Sequence, residues 1–348
     1  MAIRLMLVGG FLGAGKTTLL LQSAQLLAAK GYRVGIVTND QAQDLVDTAL
    51  VRAQNIPVRE VAGGCFCCRF PDLLTSIQRL QEEVHPDVIL CEPVGSCTDL
   101  VATIFRQLHT YYPAQFHLAP LTVLVDPQRD QAYFPSEVSY IYYKQLAEAN
   151  VIAISKSETL DGNQMDKKIQ ELQELYPHAY VTGISTKTGV GLDAWLERCL
   201  QQSSTLEHTL EMDYDLYAQG EARLGWLNAH ISLLAPTPFS PQDWMAQMLR
   251  IIEQQCAIKS AAVAHIKLHV TSSNTSWKVS LTQLGNPASW DTCPTEVAIR
   301  EAQAIINARV GTDPSTLEAL TRRALEEVQS SSGIQYAITN LECFSPLP

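Results

Sequence analysis

The chain has 348 residues, 46% of them hydrophobic and 18% charged, with a formal net charge of −11. These values exclude a disordered polymer, and the acidity argues against generic binding to nucleic acid or to anionic lipid. At roughly 150 residues per domain the length predicts two domains, and no apolar run reaches the ~18 residues expected of a membrane span.

Residues 3–8 read as a buried strand and 17–30 as a helix with Leu spacing, closed by Gly31 at the position after its last turn. Between them lies Gly10-Phe11-Leu12-Gly13-Ala14-Gly15-Lys16-Thr17, a complete GxxxxGK[ST] phosphate-binding loop followed by Thr18. Glycines let backbone N–H groups approach the phosphates without a Cβ in the way, and the helix start adds the positive end of its dipole. Lys16 supplies a point charge to the β/γ-phosphates and the Thr17 hydroxyl a ligand for Mg²⁺. This loop interrupts the apolar N-terminal stretch, so a signal peptide is not expected; the cytoplasm is the expected location, with the 9 cysteines held as thiols.

Strand and helix patterns then alternate: strand 33–38, helix 73–83, strand 87–91, helix 100–109, strand 121–125, helix 138–149, strand 151–155, helix 166–175, strand 180–184, helix 192–200. Near-continuous Val, Ile and Leu in the strands predicts a doubly wound, mostly parallel α/β sheet of the P-loop NTPase kind, over residues 1–205. A polar, acidic connector is expected at 206–222 and a smaller α+β domain at 223–348. Its pattern is strand 224–234, helix 241–256, strands 262–270, 277–282 and 302–310, helix 314–329 and strand 335–341. Two strand-helix-strand units, with Asn228-Ala229-His230-Ile231 echoing Asn307-Ala308-Arg309-Val310, predict a ferredoxin-like unit.

The rest of a nucleotide site should lie at the carboxyl ends of the strands. Glu92, followed by Pro93-Val94-Gly95, is positioned to hold Mg²⁺ or orient an attacking water. Asn39 and Asp40 close the second strand ahead of a polar segment containing Asp47, and either aspartate is a candidate to approach the metal. Ser155-Lys156-Ser157-Glu158 and Ser185-Thr186-Lys187 stand where base-recognition loops belong, with Glu158 and Ser155 replacing the aspartate and asparagine of an Asn-Lys-x-Asp loop. That departure weakens a guanine preference.

Gly63-Gly64-Cys65-Phe66-Cys67-Cys68 gathers three sulfurs within four residues, a soft donor set for Zn²⁺ or Cu(I) as thiolates. A closed site needs a fourth ligand, for which Cys91, Cys97, a water or a second subunit are the candidates. His265 and His269 share a strand face but read as structural or exposed, and His208 and His230 are scattered.

With both motifs in view, the first ~200 residues resemble the SIMIBI-class metallochaperone GTPases, and most closely the CobW-like branch related to UreG and HypB. The matching pieces are residues 9–18, Asn39-Asp40 with Asp47, Gly63 to Cys68, and Glu92 to Gly95. The resemblance implies a GTPase that loads or releases a divalent metal (zinc, cobalt or nickel) in step with hydrolysis. Cys65, Cys67 and Cys68 would be the thiolates, and Lys16, Asp47 and Glu92 the catalytic residues. Implied partners are a metal-requiring client protein or cofactor pathway, with no nucleic acid and no membrane. The second domain carries no catalytic motif and is expected to recognise the client or form a homodimer. Ala42 departs from the family's switch glycine, and the histidine-rich stretch of many members is missing. A P-loop ATPase or small-molecule kinase with a structural zinc, and a non-catalytic metal or redox sensor, remain the alternatives.

Overall fold

A computed structural model describes residues 2–40, 56–206, 210–273, 275–294 and 298–346. The chain divides into two compact units, residues 1–129 with 139–214, and residues 130–138 with 215–348. No helix among the described residues is long and apolar enough to cross a membrane.

The first elements are β1 (Ile3–Gly10), α1 (Lys16–Ala29), β2 (Val34–Asp40), β3 (Val58–Ala62), α2 (Phe70–Val84) and β4 (Val88–Glu92). A single π turn, Val101–Phe105, leads into α3 (Arg106–Tyr111), followed by β5 (Phe116–Leu118), β6 (Thr122–Val125) and α4 (Ser136–Ala147). Then come β7 (Val151–Ile154), α5 (Gly162–Leu175), β8 (Tyr180–Gly183) and α6 (Leu192–Gln201). The strands form one sheet in the order β3-β2-β4-β1-β6-β7-β8, with β5 also on β1, and every pair is parallel.

This is the doubly wound sheet expected from the apolar strands, which are covered by helices on both faces. Leu19, Leu20 and Leu27 of α1 pack with Trp195 and Leu196 of α6 in one core. On α2, Leu73, Ile77 and Leu80 recur at helical spacing and are fully buried. The order reverses across β1, with β4 on one side and β6 on the other, so the loops after β1, β4 and β6 meet at one end of the sheet.

Helix α7 (Tyr214–Ala222) occupies the second half of the stretch expected to be a connector, with Tyr217 and Glu221 buried. The remaining elements are β9 (Gly225–Phe239), α8 (Pro241–Ile258), β10 (Val263–Ser272), β11 (Thr275–Leu281), β12 (Ser289–Thr292), β13 (Ile299–Val310), α9 (Pro314–Ser332) and β14 (Gln335–Phe344). They build an antiparallel sheet in the order β12-β11-β10-β13-β9-β14. Strand β13 lies between β9 and β10, and β9 lies between β13 and β14, which is the split βαβ arrangement that the two strand-helix-strand units predict. The β11–β12 hairpin extends it; β5 has only three residues, and β12, Ser-Trp-Asp-Thr with no buried residue, lacks the apolar run that marks the equally short β6 and β7.

Alternation on β9 sends Leu227, Ala229, Ile231 and Leu233 into a core with Trp244 and Met248 of α8 and Leu317 and Ala324 of α9. The echoed Asn228 and Asn307 are register partners, and Asn307 Nδ2 donates to Asn228 Oδ1 at 3.0 Å. Both helices start on a side-chain cap followed by proline: Ser240 accepts from Asp243 N and Asp313 from Thr316 N.

Candidate nucleotide and metal site

The phosphate loop leaves β1 at Gly10, whose φ of 131° lies where L side chains rarely go. A Cβ there would meet the Leu124 backbone oxygen at 2.8 Å, because β6 runs alongside. Gly15, with φ 96°, ends the loop and opens α1 without any side-chain cap. The first N–H groups of the helix therefore have no side-chain acceptor from their own cap, the arrangement that anions use. Lys16 and Thr17 are buried. Lys16 Nζ folds back to Gly10 O at 2.8 Å and Phe11 O at 3.4 Å.

Thr17 Oγ1 donates to Glu92 Oε1 at 2.9 Å across the sheet end. These two oxygens are hard donors, 5% and 8% exposed as residues, and suit Mg²⁺, which takes one or two protein oxygens and keeps its waters. Gly95, just beyond Glu92, lies so close to the phosphate loop that a Cβ would stand 2.6 Å from Leu12 Cδ2 and 3.0 Å from Leu12 Cα. A side chain at position 95 would push the two loops apart.

Helix α4 and the residue after its end grip the segment between Gly95 and the π turn. Gln145 Nε2 donates to Gly95 O at 3.0 Å and Cys97 O at 2.8 Å. Glu148 accepts from Thr98 Oγ1 at 3.2 Å and Val101 N at 3.1 Å. Burial, then the nearby Asp99 charge, pushes the Glu148 carboxyl up to about 8, against the hydrogen bonds it accepts.

Asn39, which the sequence places with the nucleotide, directs its carboxamide at the cysteine loop. Nδ2 donates to Val61 O at 2.9 Å and Gly64 O at 2.7 Å, while Oδ1 accepts from Phe66 N at 2.8 Å. Asp40 ends β2 opposite Ala62, and Asp47 lies outside the described residues.

Phe66 is fully buried, anchoring a loop whose neighbours Cys67 and Cys68 stay outside the core. Burying such a ring contributes about 1.5–3 kcal/mol. The Sγ atoms of Cys65, Cys67 and Cys68 all lie within 4.8 Å of one another. Cys65 and Cys67 are joined as a disulfide, and Cys68 Sγ is 3.2 Å from Cys65 Sγ and 3.8 Å from Cys67 Sγ. As free thiols the three form one convergent soft donor set. Cys91 and Cys97, candidates for a fourth ligand, are not among these converging sulfurs and are fully buried, and burial pushes the Cys91 thiol far up. His265 and His269 are buried on β10 and join no cluster of three metal-ligating groups among the described residues.

The two expected base loops do adjoin, Ser157 N donating to Ile184 O at 3.3 Å. Their hydroxyls are directed at backbone: Ser155 Oγ donates to Val125 O at 3.1 Å and Ser185 Oγ accepts from Thr188 N at 3.0 Å. Lys156, at φ 51°, pairs with Asp126 at 2.6 Å, and Glu158 and Lys187 are exposed. Asp126, Arg129, Gln145 and Glu148 were missed by sequence reasoning. Of these only Asp126 carries a sequence signal, as an acid directly after an apolar strand.

Residues 4–182 match the family model described as CobW/HypB/UreG, nucleotide-binding domain. The chain is 28% identical over 132 residues to the zinc chaperone YjiA of Escherichia coli K12, covering 36% of this chain and 40% of that protein. It is likewise 28% identical over 162 residues to the zinc chaperone YeiR of the same organism, covering 44% of this chain and 46% of that protein. The matches thus span less than half the length of these two relatives. Among solved structures, HypB from Helicobacter pylori in complex with nickel aligns at 18% identity with a TM-score of 0.42, over 57% of this chain and 86% of that one.

Proposed function

The chain belongs to the CobW/HypB/UreG family through its nucleotide-binding domain, and from that premise we propose that it is a GTP-hydrolysing metallochaperone. Its cargo is a divalent metal, with zinc as the first candidate, held by Cys65, Cys67 and Cys68 as thiolates and delivered to a metal-requiring client.

One observation carries the reading: a short, continuous path joins the phosphate loop to the sulfurs. Thr17 bonds Glu92, Glu92 is the register partner of Thr38 on β2, and the next residue, Asn39, ties down Gly64 and Phe66 beside the cysteines. A displacement of Glu92 on nucleotide binding therefore reaches the cysteine loop through two paired strands and one carboxamide.

In this proposal Lys16 exchanges the Gly10 and Phe11 carbonyls for phosphate oxygens. Thr17 and Glu92 would hold Mg²⁺, which would supply neutralisation of phosphate charge, and the Glu92 carboxylate would orient the attacking water. Guanine is the proposed base because Lys156 is held beside its strand end by Asp126, with Glu158 exposed two residues later. Coupling of about 1–3 kcal/mol would change metal affinity roughly 5- to 150-fold, and metal would change nucleotide affinity by the same factor. The test titrates Zn²⁺ into reduced protein, nucleotide-free and loaded with a non-hydrolysable GTP analogue. Different dissociation constants are expected; identical ones overturn the coupling.

A further inference from the structure

Three successive carbonyl groups at the start of the phosphate loop face cations. Lys16 takes Gly10 O and Phe11 O, and Arg129 Nη2 donates to Leu12 O at 2.6 Å. A trans peptide holds its C=O and N–H on opposite sides, so fixing the Leu12 carbonyl on the guanidinium turns the Gly13 N–H the other way. Successive N–H groups aimed to one side are what an anion-binding nest requires.

Arg129 is built in for this task. Its Nε and Nη1 atoms are buried, and the guanidinium carbon lies 5.1 Å from the Phe11 ring centroid. Burial lowers its pKa to about 10, with the nearby Asp126 charge opposing the drop, so it is a cation at neutral pH. Asp126 is itself buried, accepts from Gln128 N at 3.0 Å, and takes Lys156 Nζ at 2.6 Å. The segment after β6 thereby touches the phosphate loop at one end and the loop after β7 at the other.

We propose that Arg129 is a positioning residue of the nucleotide site: it sets the Leu12–Gly13 peptide for a nucleoside polyphosphate, and Asp126 links it to the lysine of the base loop. The two cations divide the work. When Lys16 turns to the phosphates, Arg129 still holds the loop carbonyl. The proposal rests on the nucleotide reading given above.

The experiment titrates a fluorescent GTP analogue with Mg²⁺ into wild type, Arg129→Gln, Arg129→Lys and Asp126→Asn, each checked for folding by circular dichroism and thermal melting. Losing a charge-assisted bond to the loop is expected to weaken binding about 10- to 100-fold in Arg129→Gln. Arg129→Lys keeps a donor and the charge and recovers most of the affinity, while Asp126→Asn weakens binding in the same direction. In steady-state turnover Arg129→Gln raises KM with little change in kcat, the signature of lost uniform binding.

A role in packing alone predicts a lower apparent kcat at unchanged KM with no rescue by lysine, and that result overturns the proposal. So does wild-type affinity in folded Arg129→Gln, or in Asp126→Asn should the glutamine variant not fold. If wild type itself binds no nucleotide, the proposed function falls and this assignment with it; wild-type binding with indifferent variants removes only the assignment.

Discussion

The Oδ1 of Asn39 accepts the Phe66 N–H at 2.8 Å, fixing the middle of the cysteine motif to the end of the strand that pairs with the Glu92 strand. Asn39 thus braces the cysteine loop against the end of β2, whose Thr38 is the register partner of Glu92. Asn39→Ala leaves the Val61 and Gly64 carbonyls and the Phe66 N–H without this partner, a cost of about 1–3 kcal/mol. Zinc affinity, measured by competition with a chromophoric chelator, should fall by about 10- to 100-fold, the range seen when groups that orient metal ligands are removed. Unchanged zinc affinity would show that this brace does not shape the metal site.

Glu92 and Thr17 should separate binding from turnover. Glu92→Gln keeps an acceptor for the Thr17 hydroxyl, so nucleotide affinity should stay within a few-fold, whereas loss of the carboxylate should lower turnover by about 10²-fold or more. Lys16→Ala should lose nucleotide binding itself. Calorimetry and phosphate release measure the two quantities, and wild-type turnover in Glu92→Gln would remove that residue from the mechanism.

Metal uptake should require reduction. With Cys65 and Cys67 joined as a disulfide, only Cys68 of the trio offers a thiol. Protein treated with a thiol reductant and kept anaerobic is expected to bind one zinc per chain tightly. The same protein oxidised with diamide should bind it at least ~100-fold more weakly, since thiolate is the ligating form. Cys68→Ser should weaken binding in the reduced protein, whereas Cys256→Ser, in the second domain's core, should not.

Glu148 gives a pH signature. Its folded pKa is raised to about 8, so between its ordinary value near 4.5 and pH 8 the unfolded chain binds fewer protons than the folded one. Stability therefore falls as pH rises through that window and levels off above it. Glutamine keeps the shape of the acid without its charge: its amide oxygen can accept from Val101 N, and its NH2 can face the Thr98 hydroxyl, which turns from donor to acceptor. Glu148→Gln should flatten the profile between about pH 5 and 8 and be more stable at pH 8, by an amount on the order of a few kcal/mol. Urea melts across that range decide it; parallel profiles for the two proteins would refute the assignment.

The elements and both motifs were legible in the chain because each rests on local rules. Leu73, Ile77 and Leu80 announce a helix face, the apolar strands announce burial on both sides, and a glycine loop between strand and helix announces a phosphate cradle. In the second domain the repeated strand-helix-strand order foretold the β10-β13-β9-β14 arrangement, because connection rules leave few ways to pair such units. The short β5 and β12 were not legible: β5 has three residues, and the polar, partly exposed β12 has no apolar run of the kind that betrays the equally short β6 and β7.

What only the tertiary structure decided is which polar side chain serves which loop. Asn39 lies 27 residues from Phe66, Thr17 lies 75 from Glu92, and Arg129 lies 117 from Leu12. No spacing rule spans such separations. The sequence by itself determined the phosphate loop, the sulfur cluster and the sheet between them, because each is written in neighbouring residues. The partners of Asn39, Arg129 and Glu148 became defined only when β-strand order brought distant strand ends together.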